Sequence, residues 1–184
     1  MFVTVGPCRL ELVAGDLTHQ QVDAIANAAN SQLAGGGGVD GAIHRAAGPE
    51  LMRETDRLYP EGCPSGSAVA TSGGRLPARF VFHAVGPIWQ GGEQGEPELL
   101  AGAHRRCLEL AVENRCDSLA FPAISTGIYG YPKREAARVA LQTVGTFLAE
   151  FQQPRLVRFV LFDAGTLQVF ADTLAQLQFP NPRP

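Results

Sequence analysis

The chain has 184 residues, of which 45% are hydrophobic and 18% charged, and its formal net charge at pH 7 is −3. This composition excludes a disordered chain and allows a core of its own, while the acidic balance argues against a broad basic surface for DNA or RNA. We expect one domain over residues 1–179 and a loose tail over residues 180–184.

The cysteines and histidines indicate neither a disulfide scaffold nor a metal centre. The four cysteines are scattered without a CxxC pair, and the four histidines lack HxxxH or HExxH spacing. The N-terminus lacks a signal-peptide pattern, and no apolar run reaches the ~18 residues that a membrane span needs. We therefore expect a cytoplasmic protein without a metal or other cofactor, and a monomer.

Strand and helix patterns alternate along the chain. Periodicity predicts helices from Val39 to about Arg45, over Glu50–Tyr59, from Glu98, from Pro132, and over Thr166–Gln178. Short apolar runs bounded by turn signals predict strands at Phe2–Val5, Leu10–Val13, Val22–Ala26, Ala68–Thr71, Arg79–Val85, Ser118–Pro122 and Leu156–Phe162. This alternation is typical of an α/β fold with helices on both faces of a mixed, mostly parallel sheet.

Four loops leave predicted strand ends, after Val13, Ala26, Phe121 and Leu161. In sheets of this class, ligands bind in the crevice at the carboxyl ends of the strands. We expect these loops to converge on one such crevice.

The glycine run Gly35–Gly38 is the strongest pointer to a ligand. Four consecutive glycines are costly to order, so a chain that keeps them needs a backbone without side chains close to another group. Backbone N–H groups beside a helix start form a seat for phosphate, although a flexible turn explains the run about equally well. Neither a Walker A loop nor the GxGxxG pattern of a dinucleotide-binding unit is present.

A second candidate phosphate loop, Ser125–Gly130, leaves a strand and enters a helix at Pro132. Taken alone, this loop is explained about equally well as a plain strand-to-helix connection. Two such loops at strand ends of one domain suit a diphosphate better than either does by itself.

Several side chains near these loops have both a structural and a functional interpretation. Asp16 caps a local turn or accepts a hydrogen bond from a ligand amine or hydroxyl. Phe162 is a core aromatic or a ring on which a base stacks. Asn27 and Asn30 form turns or bind the ligand, and Asp40 is a favourable first-turn acid or orients a water or a sugar hydroxyl.

Taken in order, five segments resemble the signature segments of the macrodomain family, and of its MacroD-type ADP-ribosyl hydrolase branch in particular. The likeness spans roughly residues 10 to 165. The segments are Gly15–Thr18, Asn27–Asn30, Gly35–Pro49, His83–Pro87 and Phe121–Pro132. In one departure, Ala103-His104 stands where relatives more usually have Ala-Tyr, and we expect this pair at a surface away from catalysis.

The resemblance implies a three-layer α/β/α sandwich with a mixed six-stranded sheet that binds ADP-ribose. By the same resemblance, Asp16 recognises the adenine amine, Phe162 packs on adenine, and Asn30 and Asp40 act beside the distal ribose. The implied ligand-binding residues are Asp16, Leu17, Asn30, Gly37, Gly38, Val39, Asp40, Ser125, Thr126, Gly127, Ile128, Tyr129 and Phe162.

The function implied is removal of mono-ADP-ribose from aspartate or glutamate esters on proteins, together with deacetylation of O-acetyl-ADP-ribose. The partners would be ADP-ribose and mono-ADP-ribosylated proteins. A non-catalytic ADP-ribose reader would need the same phosphate loops, but it has no obvious need for the pair Asn30 and Asp40. A dinucleotide-dependent oxidoreductase is a weaker alternative, because the glycine pattern is wrong for it.

Overall fold

The computed structural model describes residues 1–180, within which seven strands and five α-helices form. The strands are β1 (Phe2–Val5), β2 (Cys8–Ala14), β3 (Ala24–Ala28), β4 (Ser67–Ser72), β5 (Phe80–Val85), β6 (Ser118–Phe121) and β7 (Leu156–Leu161). The helices are α1 (Gly38–Ala47), α2 (Glu50–Leu58), α3 (Glu96–Glu113), α4 (Lys133–Phe151) and α5 (Ala164–Gln176), with a 3-10 turn at Leu17–His19.

All seven strands belong to one sheet in the order β1-β2-β7-β6-β3-β5-β4. The five central strands run parallel, while β1 and β4 pair antiparallel at the two edges. The prediction of a mixed, mostly parallel sheet is confirmed. The six strands implied by the family resemblance are one too few, because β1 adds an edge strand that the alternating pattern had already indicated.

The parallel pairing positions the ligand loops. Strand β3 lies between β6 and β5, and β7 lies between β6 and β2. Since these strands share one direction, their carboxyl ends meet at one edge of the sheet. The expected convergence of the loops that follow β2, β3, β6 and β7 is therefore confirmed.

Successive residues of a strand are buried on opposite faces of the sheet, because the side-chain period of a strand is two. On β3, Ala24 and Ala26 enter the larger core with α3, α4 and α5, whereas Ile25 enters a smaller core with α1 and α2. Helices thus cover both faces, and the three-layer α/β/α architecture is confirmed.

The expected surface position of the pair Ala103-His104 is wrong, because both residues are buried. His104 shows the reason. Its side chain is 1% exposed and packs against the stacked rings of Phe121 and Phe159, with ring centroids 5.1 Å and 6.1 Å away. His104 Nδ1 donates to the Leu100 carbonyl at 2.8 Å. The error arises because α3 buries a wide face against both the sheet and α4, so that two neighbouring stripes of the helix are covered.

Helix ends differ from the predicted ones by one or two residues in most cases. Helix α5 begins at Ala164, because the Asp163 side chain caps it by accepting from Thr166 N at 2.8 Å. None of the helices within residues 1–180 combines the length and the apolarity that crossing a membrane requires. Of the predicted tail, residues 181–184 lie outside the described residues.

Candidate functional site

The first loop, residues 29–37, connects β3 to α1 and is held by Asn30. The Asn30 Nδ2 donates to the Gly35 carbonyl at 2.9 Å, and Asn30 Oδ1 accepts from Ala34 N at 3.1 Å. The Asn30 side chain is only half-buried. This asparagine therefore has a structural role in shaping the glycine run, in addition to the ligand role predicted for it.

The first loop ends in an uncapped helix start. Gly37 is the N-cap of α1 and has no side-chain capping bond, and the first backbone hydrogen bond of the helix runs from Gly41 N to Gly37 O. A Cβ on Gly41 would lie only 2.5 Å from the Gly36 carbonyl oxygen, so a glycine there lets the loop fold back on the helix. The amides of the first turn are thereby left open for an acceptor.

The second loop, residues 122–132, connects β6 to α4. Ser125 is buried in a left-handed conformation (φ 65°), and its carbonyl accepts from Tyr131 N at 3.0 Å to close the loop. Among the described residues, no backbone hydrogen bond uses the N–H groups of Gly127, Ile128 or Tyr129. These amides form a second open set at the same edge of the sheet.

The segment after β5 braces the second loop. Gly86 lies directly beneath it, since a Cβ there would be 2.2 Å from Ser125 Oγ and 2.7 Å from Ile124 Cγ2. Trp89 N also donates to the Tyr129 carbonyl at 2.9 Å. The His83–Pro87 segment singled out in the sequence is therefore part of the support of the site.

Asp40 is a buried carboxylate at the start of α1, only 6% exposed. Its Oδ1 accepts from Asn27 Nδ2 at 2.6 Å and lies 3.3 Å from His44 Nε2. Burial raises the pKa of Asp40, but the hydrogen bonds from His44 and Asn27 outweigh it and hold the pKa below its usual value. The other oxygen, Oδ2, faces the first loop at Gly36, where a Cβ would approach it to 3.2 Å.

Behind Asp40, a line of buried polar groups runs across the sheet. Asn27 Nδ2 lies 3.3 Å from His83 Nδ1, and His83 Nε2 lies 2.8 Å from Thr71 Oγ1. Desolvation, reinforced by the nearby His44, lowers the pKa of His83 to about 4. Sequence reasoning did not name His44, His83 or Thr71 as site residues, although His44 and His83 lie in segments that resemble the family's signature segments, and His83 is a polar residue within an apolar strand.

The residues assigned to the adenine end occupy the loops after β2 and β7. Asp16 Oδ1 accepts from Thr18 N at 2.8 Å and Thr18 Oγ1 at 2.7 Å, and these bonds lower its pKa. The turn-capping interpretation of Asp16 is thus confirmed. The Leu17 side chain is buried in the smaller core, so only its backbone is available to a ligand.

Phe162 is 88% exposed at the end of β7, so its interpretation as a core aromatic is wrong. Ile128, at the tip of the second loop, is 90% exposed. Two large apolar side chains are therefore exposed in the segments that follow the neighbouring strands β6 and β7.

The predicted site residues reach the same edge of the sheet. Asn30, Gly37, Gly38, Val39 and Asp40 lie on the first loop or the first turn of α1, and the predicted residues of Ser125–Tyr129 lie on the second loop. Asp16, Leu17 and Phe162 follow β2 and β7, farther along the same edge.

Comparison with known proteins agrees with this geometry. Residues 26–140 match the model of the Macro domain family. The O-acetyl-ADP-ribose deacetylase of Salmonella typhimurium is 51% identical over 170 residues, covering 91% of this chain and 95% of that protein.

Solved structures show the same likeness. The Oceanobacillus iheyensis macrodomain with ADP superposes with a TM-score of 0.85 at 43% identity, covering 95% of this chain and 94% of its own. Structures of its variants N30A, D40A and G37V, the last with ADPR, are also similar. The Trypanosoma brucei macrodomain in complex with ADP-ribose has a TM-score of 0.83 at 41% identity, covering 89% of this chain and 68% of its own. This chain belongs to the macro domain family.

Proposed function

We propose that this protein binds ADP-ribose and hydrolyses esters on its distal ribose. The observation that carries the proposal is the buried Asp40, which is anchored through one oxygen and turns the other toward the first loop. A module that only binds has no obvious need for a carboxylate that is buried and held in this way. The names of the relatives, one an O-acetyl-ADP-ribose deacetylase and others macrodomains bound to ADP or ADP-ribose, support the same assignment.

Binding would rest on the two loops. The open amides of the first turn of α1 and those of Gly127–Tyr129 supply N–H donors for the two phosphates. Phe162 offers a flat face for adenine, and Asp16 an acceptor for its amine. The ligand would then run along the sheet edge, with its distal ribose between Asn30 and Asp40.

Asp40 would act by orientation more than by basicity. A carboxylate with a lowered pKa stays ionised at neutral pH and is a weak proton acceptor. Its Oδ2 is well placed to accept a hydrogen bond from an attacking water or a ribose hydroxyl. Catalysis would then come from positioning and fixed dipoles more than from a strong base.

In deacetylation, the oxygen of water adds to the acetyl carbon. The bond from that carbon to the ribose oxygen then breaks, and the ribose oxygen regains a proton. The products are acetic acid and ADP-ribose. No electron acceptor is consumed.

The same site would take aspartate or glutamate esters of mono-ADP-ribosylated proteins. We further propose that the protein acts as a monomer in the cytoplasm and has no nucleic-acid partner. The cytoplasmic location is supported by the four cysteines, which are free thiols, as in a reducing compartment. The lack of a nucleic-acid partner is supported by the net charge of −3.

The test is to incubate the protein with O-acetyl-ADP-ribose and, in parallel, with a glutamate-linked mono-ADP-ribosylated peptide, and to measure released ADP-ribose. We expect release from both. Calorimetry with ADP-ribose separates binding from turnover. Tight binding with no release from either ester at high enzyme concentration would favour a reader and refute the hydrolase.

A further inference from the structure

Asn27 stands at the centre of the buried polar line behind Asp40 and has no exposed surface. Its Nδ2 is within hydrogen-bond reach of two groups, Asp40 Oδ1 at 2.6 Å and His83 Nδ1 at 3.3 Å. An amide nitrogen carries two protons and no lone pair for accepting. Both protons of Asn27 therefore have a partner, one on each side.

The opposite orientation of the Asn27 amide is unfavourable. Turning it over would place Oδ1 against the ionised carboxylate of Asp40, oxygen against oxygen. In the orientation found, Asn27 Oδ1 is buried without a hydrogen-bond partner among the described residues. A buried acceptor without a partner is costly. The fold tolerates this cost while keeping both N–H groups aimed at Asp40 and His83.

This orientation fixes the tautomer of His83. Because Asn27 Nδ2 only donates, His83 Nδ1 must accept, so the proton of the neutral ring sits on Nε2. His83 Nε2 then donates to Thr71 Oγ1 at 2.8 Å. The titratable groups that face this ring are Asp40 and His44, whose ring centroid is 6.3 Å away.

Three adjacent strands supply the line. Asn27 on β3 is paired in register with His83 on β5, and Thr71 lies on the edge strand β4, two residues from the partner of His83. Each strand thus holds one group at a fixed position, and the line ends on the carboxylate. Neither His83 nor Thr71 is exposed enough to touch a ligand.

We propose that Thr71 and His83 are positioning residues that act through Asn27 to fix the orientation of Asp40. This inference rests on the proposed function, in which Asp40 turns Oδ2 toward the substrate. Loss of the His83 acceptor would free one Asn27 proton and let the amide rotate. The Asp40 carboxylate would then lose its alignment, while the phosphate and adenine contacts would stay in place.

A matched pair of variants isolates the hydrogen bond. Leucine and asparagine have similar size and shape, but only His83→Asn keeps an acceptor where Nδ1 was. We expect His83→Leu to lower kcat for O-acetyl-ADP-ribose about tenfold, the effect of one lost buried hydrogen bond. His83→Asn should recover most of that loss. KM and the ADP-ribose Kd should stay within about twofold in both.

A second pair tests the far end of the line without touching the histidine. Thr71→Val removes the acceptor for Nε2 at nearly constant volume, whereas Thr71→Ser keeps a hydroxyl. We expect Thr71→Val to lower kcat several-fold and Thr71→Ser to restore it. Equal kcat values within each pair would overturn the proposed relay, by which Thr71 and His83 position Asp40 through Asn27. Thermal melting of all four variants separates this effect from misfolding.

Nitrogen-15 NMR of the histidine rings gives a readout that needs no turnover. The relay predicts His83 with Nε2 protonated and Nδ1 bare in the wild type at neutral pH. A protonated Nδ1 would overturn it, whatever the kinetics. If the wild type released no product from either ester, the proposed function would fail, and this spectrum alone would decide whether the relay exists.

Discussion

Replacing the buried His104 by phenylalanine should remove part of the acid sensitivity of the fold. Burial lowers the pKa of His104 from 6.5 to about 4. As the pH falls through 6.5, the unfolded chain takes up a proton that the folded chain still refuses. The stability that the neutral His104 contributes is therefore fully present above pH 6.5 and is lost progressively as the pH falls from there toward 4.

The size of the effect follows from the same two pKa values. Between pH 8 and pH 5, linkage predicts that His104 alone costs the wild type about 2 kcal/mol of unfolding free energy. His83 adds a loss of the same sign, but it is present in both proteins and cancels in the difference. His104→Phe keeps an aromatic ring beside Phe121 and removes the titrating nitrogens.

Urea unfolding at pH 8 and pH 5 measures the difference. The single tryptophan, Trp89, packs 4.6 Å from Tyr131 and reports unfolding by its fluorescence. His19→Gln, at an exposed position, controls for the loss of a histidine as such. If His104→Phe lost as much stability as the wild type on acidification, the assignment of a neutral buried histidine would be refuted.

Three further predictions concern ligand binding, each measured by calorimetry with ADP-ribose. Gly86→Ala would force a Cβ to within 2.2 Å of Ser125 Oγ; displacement of the second loop should weaken affinity at least about tenfold, and unchanged affinity would contradict the bracing role. Phe162→Ala should leave the melting temperature unchanged, because the ring is 88% exposed. It should lower the affinity for ADP-ribose about tenfold but leave the affinity for a ligand without adenine unchanged, and equal losses for both ligands would exclude stacking. Asp16→Asn keeps an oxygen acceptor for Thr18. It should lower the affinity for ADP-ribose more than the affinity for the analogue in which inosine, which lacks the amine, replaces adenosine. Equal losses of affinity would exclude amine recognition.

The elements and the loops that carry the site could be predicted from the sequence because their signals are local. The glycine run, the Pro132 helix start and the apolar strands each reflect neighbouring residues. The half-exposed Asn30 and the first-turn Asp40 were found in the same way, from their positions beside the glycines.

The remainder depends on contacts between residues far apart in the chain. Nothing near His83 indicates that its ring meets Asn27 and Thr71, since that meeting follows from the sheet order. Likewise, the burial of His104 depends on how α3 packs against the sheet and α4. The close approach of Gly86 to the second loop also becomes visible only once β5 and β6 are placed on either side of β3.

The role of Asp40 in hydrolysis is tested most directly by the turnover of Asp40→Asn, compared with the affinity of this variant for ADP-ribose. Asparagine keeps an oxygen for the Asn27 and His44 donors, while it removes the charge and replaces one carboxylate oxygen by an amide. We expect the ADP-ribose Kd to change by less than about threefold, while kcat for O-acetyl-ADP-ribose falls about 100-fold. Full turnover by Asp40→Asn at unchanged affinity would contradict this role of Asp40.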